Sequence, residues 1–134
     1  MNTIYLGLIT LGDYLAEIVM VPTFSDERGK LSVIDKFLPF EIKRVFYIYS
    51  TSGTRAEHMH KKTKQALICV SGKCSVYVNN GKQKKNFPLD SPEKCLVLNP
   101  EDWHRMENFS KGAVLLVLAS TNYDKDDYID EGYE

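Results

Sequence analysis

The chain has 134 residues and a mass of 15.3 kDa, enough to bury the core of one domain without metal or disulfide staples. Its 43% hydrophobic and 26% charged residues exclude a disordered, collagen-like or membrane-bundle sequence. A formal charge of −1, from 17 basic and 18 acidic residues, leaves no global field for nucleic acid.

Residues 1–11 are apolar but carry no basic leader region and no small-residue cleavage site, and Asp13 and Glu17 interrupt them before a membrane-spanning length. No targeting segment is read there. Residues 10–17 have room for one turn of helix. Asp26-Glu27-Arg28-Gly29 is a charged turn entering a strand. From there the chain alternates short runs rich in Val, Ile, Tyr and Phe with Gly, Pro, Asn and Asp, the pattern of an all-β sandwich or barrel. Strands are predicted at 30–36, 44–49, 65–70, 74–78, 82–87, 95–98 and 113–119. The 74–78 and 82–87 pair flanks Asn79-Asn80-Gly81, residues that tolerate the positive φ of a tight hairpin. Ala113 to Ala119 is unbroken apolar sequence, suited to a strand covered on both faces. Residues 124–133 are acidic and read as a short terminal helix or a solvated tail.

Cys69, Cys74 and Cys95 are odd in number and form no C-x-x-C pair, so a reducing cytoplasm fits better than a disulfide framework. No repeat, low-complexity tract or linker breaks the chain. One domain over 1–134 is expected, with 1–23 an N-terminal extension or strand of open role and 24–129 the core.

The chemistry is concentrated in Gly53-Thr54-Arg55-Ala56-Glu57-His58-Met59-His60-Lys61-Lys62, followed by Gln65 and Gly72. Residues two apart on a strand share a face, so His58 and His60 project together, with Arg55 nearby. Imidazole titrates near neutrality and suits general acid and base work; the competing reading is two polar residues on an exposed edge. Glycine, His-x-His, a polar residue five positions on and a glycine seven beyond that resemble the first cupin motif. Pro100-Glu101-Asp102-Trp103-His104 with Asn108 resembles the second, with Asp102 where glycine is usual. The resemblance implies a single-domain, jelly-roll-like β-barrel. In metal-binding cupins the ligands would be His58, His60, His104 and a glutamate, but that fourth position is Gln65. A neutral amide does not replace the carboxylate that helps to fix a divalent cation, so no metal is expected.

A narrower resemblance covers nearly the whole chain. Residues 40–48, 55–62, 89–92, Trp103-His104, 116–120 and 123–129 are similar in order and character to the dTDP-4-oxo-6-deoxyglucose 3,4-oxoisomerases. This resemblance implies a cofactor-free isomerase that moves a ketone from carbon 4 to carbon 3 of a dTDP-6-deoxyhexose, ahead of a pyridoxal-phosphate aminotransferase. It implies His58 as the base at carbon 3, His60 as its orienting or relaying partner, and Arg55 beside the enediolate. Tyr47 is the first candidate for proton donor, with a packed core aromatic as the alternative. Arg28 and Arg44 are candidates for the pyrophosphate, or else members of surface ion pairs. Trp103 would stack on the nucleoside or sit in the core. Gln65 and His104 would line the substrate site.

The Arg28-Gly29 pair is closer to relatives forming the galacto, fucose-type product. The apolar segment 4–9 resembles the exchanged N-terminal strand of dimeric relatives, so a homodimer is expected. A dTDP-sugar 3,5-epimerase, a metallocupin and a non-catalytic sugar-binding cupin are the competing readings.

Overall fold

The computed structural model describes residues 15–133. Twelve strands account for nearly all the regular structure: β1 (Glu17–Met20), β2 (Thr23–Asp26), β3 (Gly29–Ser32), β4 (Arg44–Tyr49), β5 (Arg55–His60), β6 (Gln65–Ser71), β7 (Cys74–Asn79), β8 (Lys84–Leu89), β9 (Lys94–Leu98), β10 (Trp103–Glu107), β11 (Val114–Ala119) and β12 (Tyr128–Ile129). Two five-stranded antiparallel sheets have the orders β1-β9-β6-β11-β4 and β12-β5-β10-β7-β8, and β2-β3 form a separate hairpin. The all-β expectation holds, with one refinement. This cupin-type fold is two facing sheets, with no ladder joining one sheet to the other among the described strands.

The main core lies between the sheets and takes alternate residues from both. Leu67 and Cys69 of β6, Leu115 and Val117 of β11, Val76 and Val78 of β7, and Met106 of β10 are all buried there. The intervening residues of the first sheet, Ala66, Ile68, Cys95 and Leu118, form a second cluster on its outer face, covered by Ile34, Phe37, Leu38 and Phe40. This explains why β11 is apolar throughout: each face meets its own cover. Each fully buried leucine contributes roughly 1.5–3 kcal/mol of transfer free energy.

The predicted hairpin at residues 79–81 forms. The Asn79 side chain accepts from Gly81 N–H at 2.8 Å, and the Asn80 side chain accepts from Lys82 and Gln83 N–H at 2.9 and 2.7 Å. Gly81 has φ +91°, and a Cβ there would stand 2.8 Å from the Tyr133 ring, so conformation and space both require glycine.

The two ends of the described chain complete the two sheets. Residues 17–20 form β1 and pair with β9, so part of the supposed extension belongs to the first sheet. The strand-exchange segment 4–9 lies outside the described residues. No helix forms at 124–133: one 3-10 turn, Lys125–Asp127, is followed by β12, which pairs with β5. Acidic sequence looked solvated, yet Asp127 is buried and its carboxylate is taken by groups from β5 and the turn after it. No helix among the described residues is long and apolar enough to cross a membrane.

Candidate active site

The site is built where β5, β10 and β12 lie side by side. His104 of β10 stands opposite His58 of β5, and the next pair is Arg105 with Ala56, which leaves Glu57 as an extra residue. Ala56 and Glu57 have φ of +73° and +63°, so this is a β-bulge in left-handed backbone. The Ala56 main chain, at that bulge, exerts a small upward pull on the His58 titration. Tyr128 of β12 stands opposite His60.

These pairings gather four rings. His58 lies 5.1 Å from His60, 5.2 Å from His104 and 4.9 Å from Tyr128, centroid to centroid. His60 lies 4.7 Å from Tyr128 and 6.1 Å from His104. The chain's three histidines are thus all in one cluster. Arg44 closes one side, with Nη1 donating to the Tyr128 hydroxyl at 3.3 Å and its guanidinium against the rings of Phe46 and Tyr123.

His60 and His104 are each anchored through one nitrogen. His60 Nδ1 hydrogen-bonds Asp127 Oδ2 at 3.0 Å, and that carboxylate also accepts from the Lys62 N–H at 2.8 Å and from the Thr63 hydroxyl. His104 Nδ1 donates to the main-chain carbonyl of Asp102 at 3.0 Å. The Nε2 atoms of His60 and His104 remain buried without protein partners. An imidazole donating at Nδ1 while neutral has a bare, basic Nε2.

Burial dominates the titration of all three. It lowers His58 to about 4, helped by the neighbouring His60, and lowers His104 to about 3. His60 is lowered too, by burial and by the Arg44 charge, against the upward pull of Asp127. All three are neutral at pH 7 and available as bases.

The remaining sequence candidates divide between the two faces. Gln65 opens β6 on the same face as Leu67 and Cys69, and its buried Oε1 has no partner, so it belongs to the space between the sheets. Arg55 is exposed at the start of β5, opposite Met106. Tyr47 does not reach the cluster. Phe46 and Ile48 occupy the inward face of β4, which turns Tyr47 outward beside Tyr49, 62% exposed. Trp103 is also on an outer face, since His104 and Met106 point inward. Its indole donates to the Asp130 carbonyl and meets the edge of Tyr77, so it neither sits in the core nor faces the imidazoles. Arg28 lies in the exposed β2-β3 turn, paired with Asp26 at 2.6 Å, and no described contact links it to the histidines.

Sequence reasoning missed Asp127 and Tyr128 as site residues. Their only local signal is an aromatic and an isoleucine interrupting an acidic run.

The ligating nitrogens of His58, His60 and His104 lie within 4.8 Å of one another, near enough to converge on a cation. Among the described residues no carboxylate or thiolate joins them in that set, and Gln65 stands in place of the charged fourth donor. The donor set therefore does not match the metal-binding cupin pattern, and no step below runs through a metal.

A family model described as FdtA, WxcM-like, C-terminal, matches residues 15–134. The chain belongs to this family. It is 45% identical over 108 residues, 78% of each chain, to the TDP-4-oxo-6-deoxy-alpha-D-glucose-3,4-oxoisomerase of Aneurinibacillus thermoaerophilus. A 3,4-ketoisomerase from Helicobacter canadensis is 39% identical, with a TM-score of 0.82 over 87% of this chain and 90% of that one. A mutant of the 3,4-ketoisomerase QdtA from Thermoanaerobacterium thermosaccharolyticum, solved with TDP-4-keto-6-deoxyglucose, is 37% identical, with a TM-score of 0.84 over 88% of each chain.

Proposed function

We propose that this family member is a TDP-sugar 3,4-ketoisomerase acting on TDP-4-oxo-6-deoxyglucose. One observation carries the reading beyond likeness: the three imidazoles lie 5.1–6.1 Å apart, centroid to centroid, with the Tyr128 ring 4.9 Å from His58 and 4.7 Å from His60. That is the equipment for moving protons between adjacent carbons and oxygens without an external oxidant.

The carbon-4 ketone acidifies the hydrogen on carbon 3. His58 removes it as a proton, the carbonyl oxygen gains a proton, and an enediol forms. Carbon 4 is then protonated, the carbon-3 hydroxyl gives up its proton, and carbon 3 becomes the ketone. Atoms and electrons balance within the sugar. His60 relays or orients, held by Asp127. Tyr128 takes the donor role for which Tyr47 is misplaced. Arg44, beside that hydroxyl, supplies positive charge to the enediolate together with Arg55. Gln65 and His104 line the sugar pocket. Arg28 binds the pyrophosphate and, with Gly29, favours the galacto product.

The same reading makes a homodimer the working form. Val45, Tyr47 and Tyr49 leave an exposed apolar strip on the edge strand β4, and Phe24 and Leu31 another on the β2-β3 hairpin. The 3-oxo product is the substrate class of a pyridoxal-phosphate aminotransferase, which would consume it.

The test is proton NMR of TDP-4-oxo-6-deoxyglucose with chelator-treated protein in deuterated water. A 3-oxo product deuterated at carbon 4 supports the reading, and the H4–H5 coupling of the product formed in ordinary water identifies the epimer. Exchange at carbon 5 would instead identify an epimerase, and an unchanged substrate would overturn both.

A further inference from the structure

The Asn99–Asp102 turn lies between two of the three histidines. The Pro100 carbonyl accepts from the His60 main-chain N–H at 2.9 Å, and the Asp102 carbonyl accepts from the His104 ring at 3.0 Å. Two reciprocal bonds close this turn: Asp102 N–H to the Asn99 carbonyl at 3.1 Å, and Asn99 N–H to Asp102 Oδ2 at 2.8 Å. Asp102 itself is fully buried and its other oxygen, Oδ1, lacks a partner in bonding geometry. A buried carboxyl without a cation costs free energy, so its retention here calls for a reason that packing does not supply.

We propose that Asp102 is a positioning residue for the reaction: its side chain locks the turn whose carbonyl holds the His104 proton on Nδ1 and keeps Nε2 bare toward His58 and His60. The side chain fixes its own backbone through Asn99, and that backbone fixes the ring. Without the brace, the carbonyl swings relative to the imidazole, and the two neutral tautomers approach equal energy. A His104 carrying its proton on Nε2 would present a donor where the pocket holds an acceptor, and the proton inventory of the enediol step would change. Burial raises the Asp102 carboxyl to about 7, so the neutral acid is well populated, and asparagine imitates it in shape and in accepting from Asn99 N–H. This inference rests on the ketoisomerase reading for its kinetic part only.

The decisive measurement is long-range proton–nitrogen NMR of the nitrogen-15-labelled full chain, in which only three imidazoles appear; His58→Asn and His60→Asn spectra assign them. His104 should show the Nδ1–H tautomer in the wild type and in Asp102→Asn, and a tautomer mixture in Asp102→Ala and Asp102→Gly. Among folded variants, kcat should fall about tenfold in the alanine form with KM changed less than about twofold, and asparagine should restore most of that loss. An Nε2–H tautomer in the wild type, or loss of the Nδ1–H signal in folded Asp102→Asn, would overturn the proposal even if the truncated variants fail to fold. So would unaltered kcat and tautomer in a folded alanine or glycine variant. Absence of turnover in every form would sink the ketoisomerase reading, while the tautomer result would still decide this one.

Discussion

Asp127 and Asp102 are both almost wholly buried, each beside a histidine of the cluster, yet their carboxyls titrate in opposite directions. Burial pushes both upward. At Asp127 the Thr63 hydroxyl, the Lys62 N–H and the His60 imidazole overcome it and bring the pKa below its ordinary value. At Asp102 the Asn99 N–H is the one well-formed bond, the Asn99 side chain and the Ala16 amide add weaker pulls, Glu101 repels, and the pKa rises to about 7. Burial alone therefore does not set the charge of a carboxyl. The donors aimed at it share in setting that charge.

The largest expected effect falls on His58, the imidazole that both His60 and His104 face. His58→Asn should lower solvent exchange at carbon 3 by roughly 10²–10⁴-fold, measured by NMR in deuterated water. In the wild type the acid limb of kcat/KM should lie near pH 4 instead of the ordinary histidine value of 6.5, because His58 must be unprotonated to act. A limb at 6.5 would mean that burial does not depress it.

Next comes the carboxylate side of the comparison. Asp127→Asn removes a charged acceptor from three donors, each such bond being worth about 1.5–3 kcal/mol, so the denaturant midpoint should drop clearly. His60 should also lose basicity, and kcat should fall with it. Retention of full stability would show that the donors, not the charge, hold the β5–β12 corner.

Asp102→Asn should behave in the opposite way. The folded wild type keeps the Asp102 proton between pH 3.8 and about 7 while the unfolded chain releases it, so this group's contribution falls as pH rises through that window. The asparagine variant escapes the loss. Its stability relative to wild type should increase from pH 4 to pH 7 and level off above, by at most about 4 kcal/mol. His58 and His104 contribute with the other sign: folded values of about 4 and about 3 against 6.5 unfolded mean stability lost as pH falls below 6.5. The difference between wild type and Asp102→Asn isolates the carboxyl.

The smallest effect separates the two tyrosines. Tyr47→Phe should leave turnover unchanged within about twofold, whereas Tyr128→Phe, which removes the hydroxyl bonded to Arg44, should lower kcat. The reverse result would return Tyr47 to the site through a partner chain.

Strand order along the chain, the Asn-Asn-Gly hairpin and the pairing of His58 with His60 follow from local chemistry. Period-two alternation and turn residues are properties of a few neighbours, and they are legible in the sequence. Tyr47 and Trp103 show where this stops. Each sits next to an inward-facing residue, Phe46 or His104, and the face a strand turns inward depends on what lies across the sheet. The bulge at Ala56-Glu57 could not be read either, because neither residue is a glycine and nothing local requires φ to be positive.

The sequence by itself determined an all-β chain and two histidines two residues apart, since both are short-range patterns, and its motifs carried the resemblance to the cupins. Only the tertiary structure decided that Tyr128 and Asp127 join them and His104, and that one buried carboxyl titrates below its ordinary value while the other is raised to about 7. The Asp127 outcome depends on donors 64 to 67 positions away, and no local pattern encodes which groups will meet.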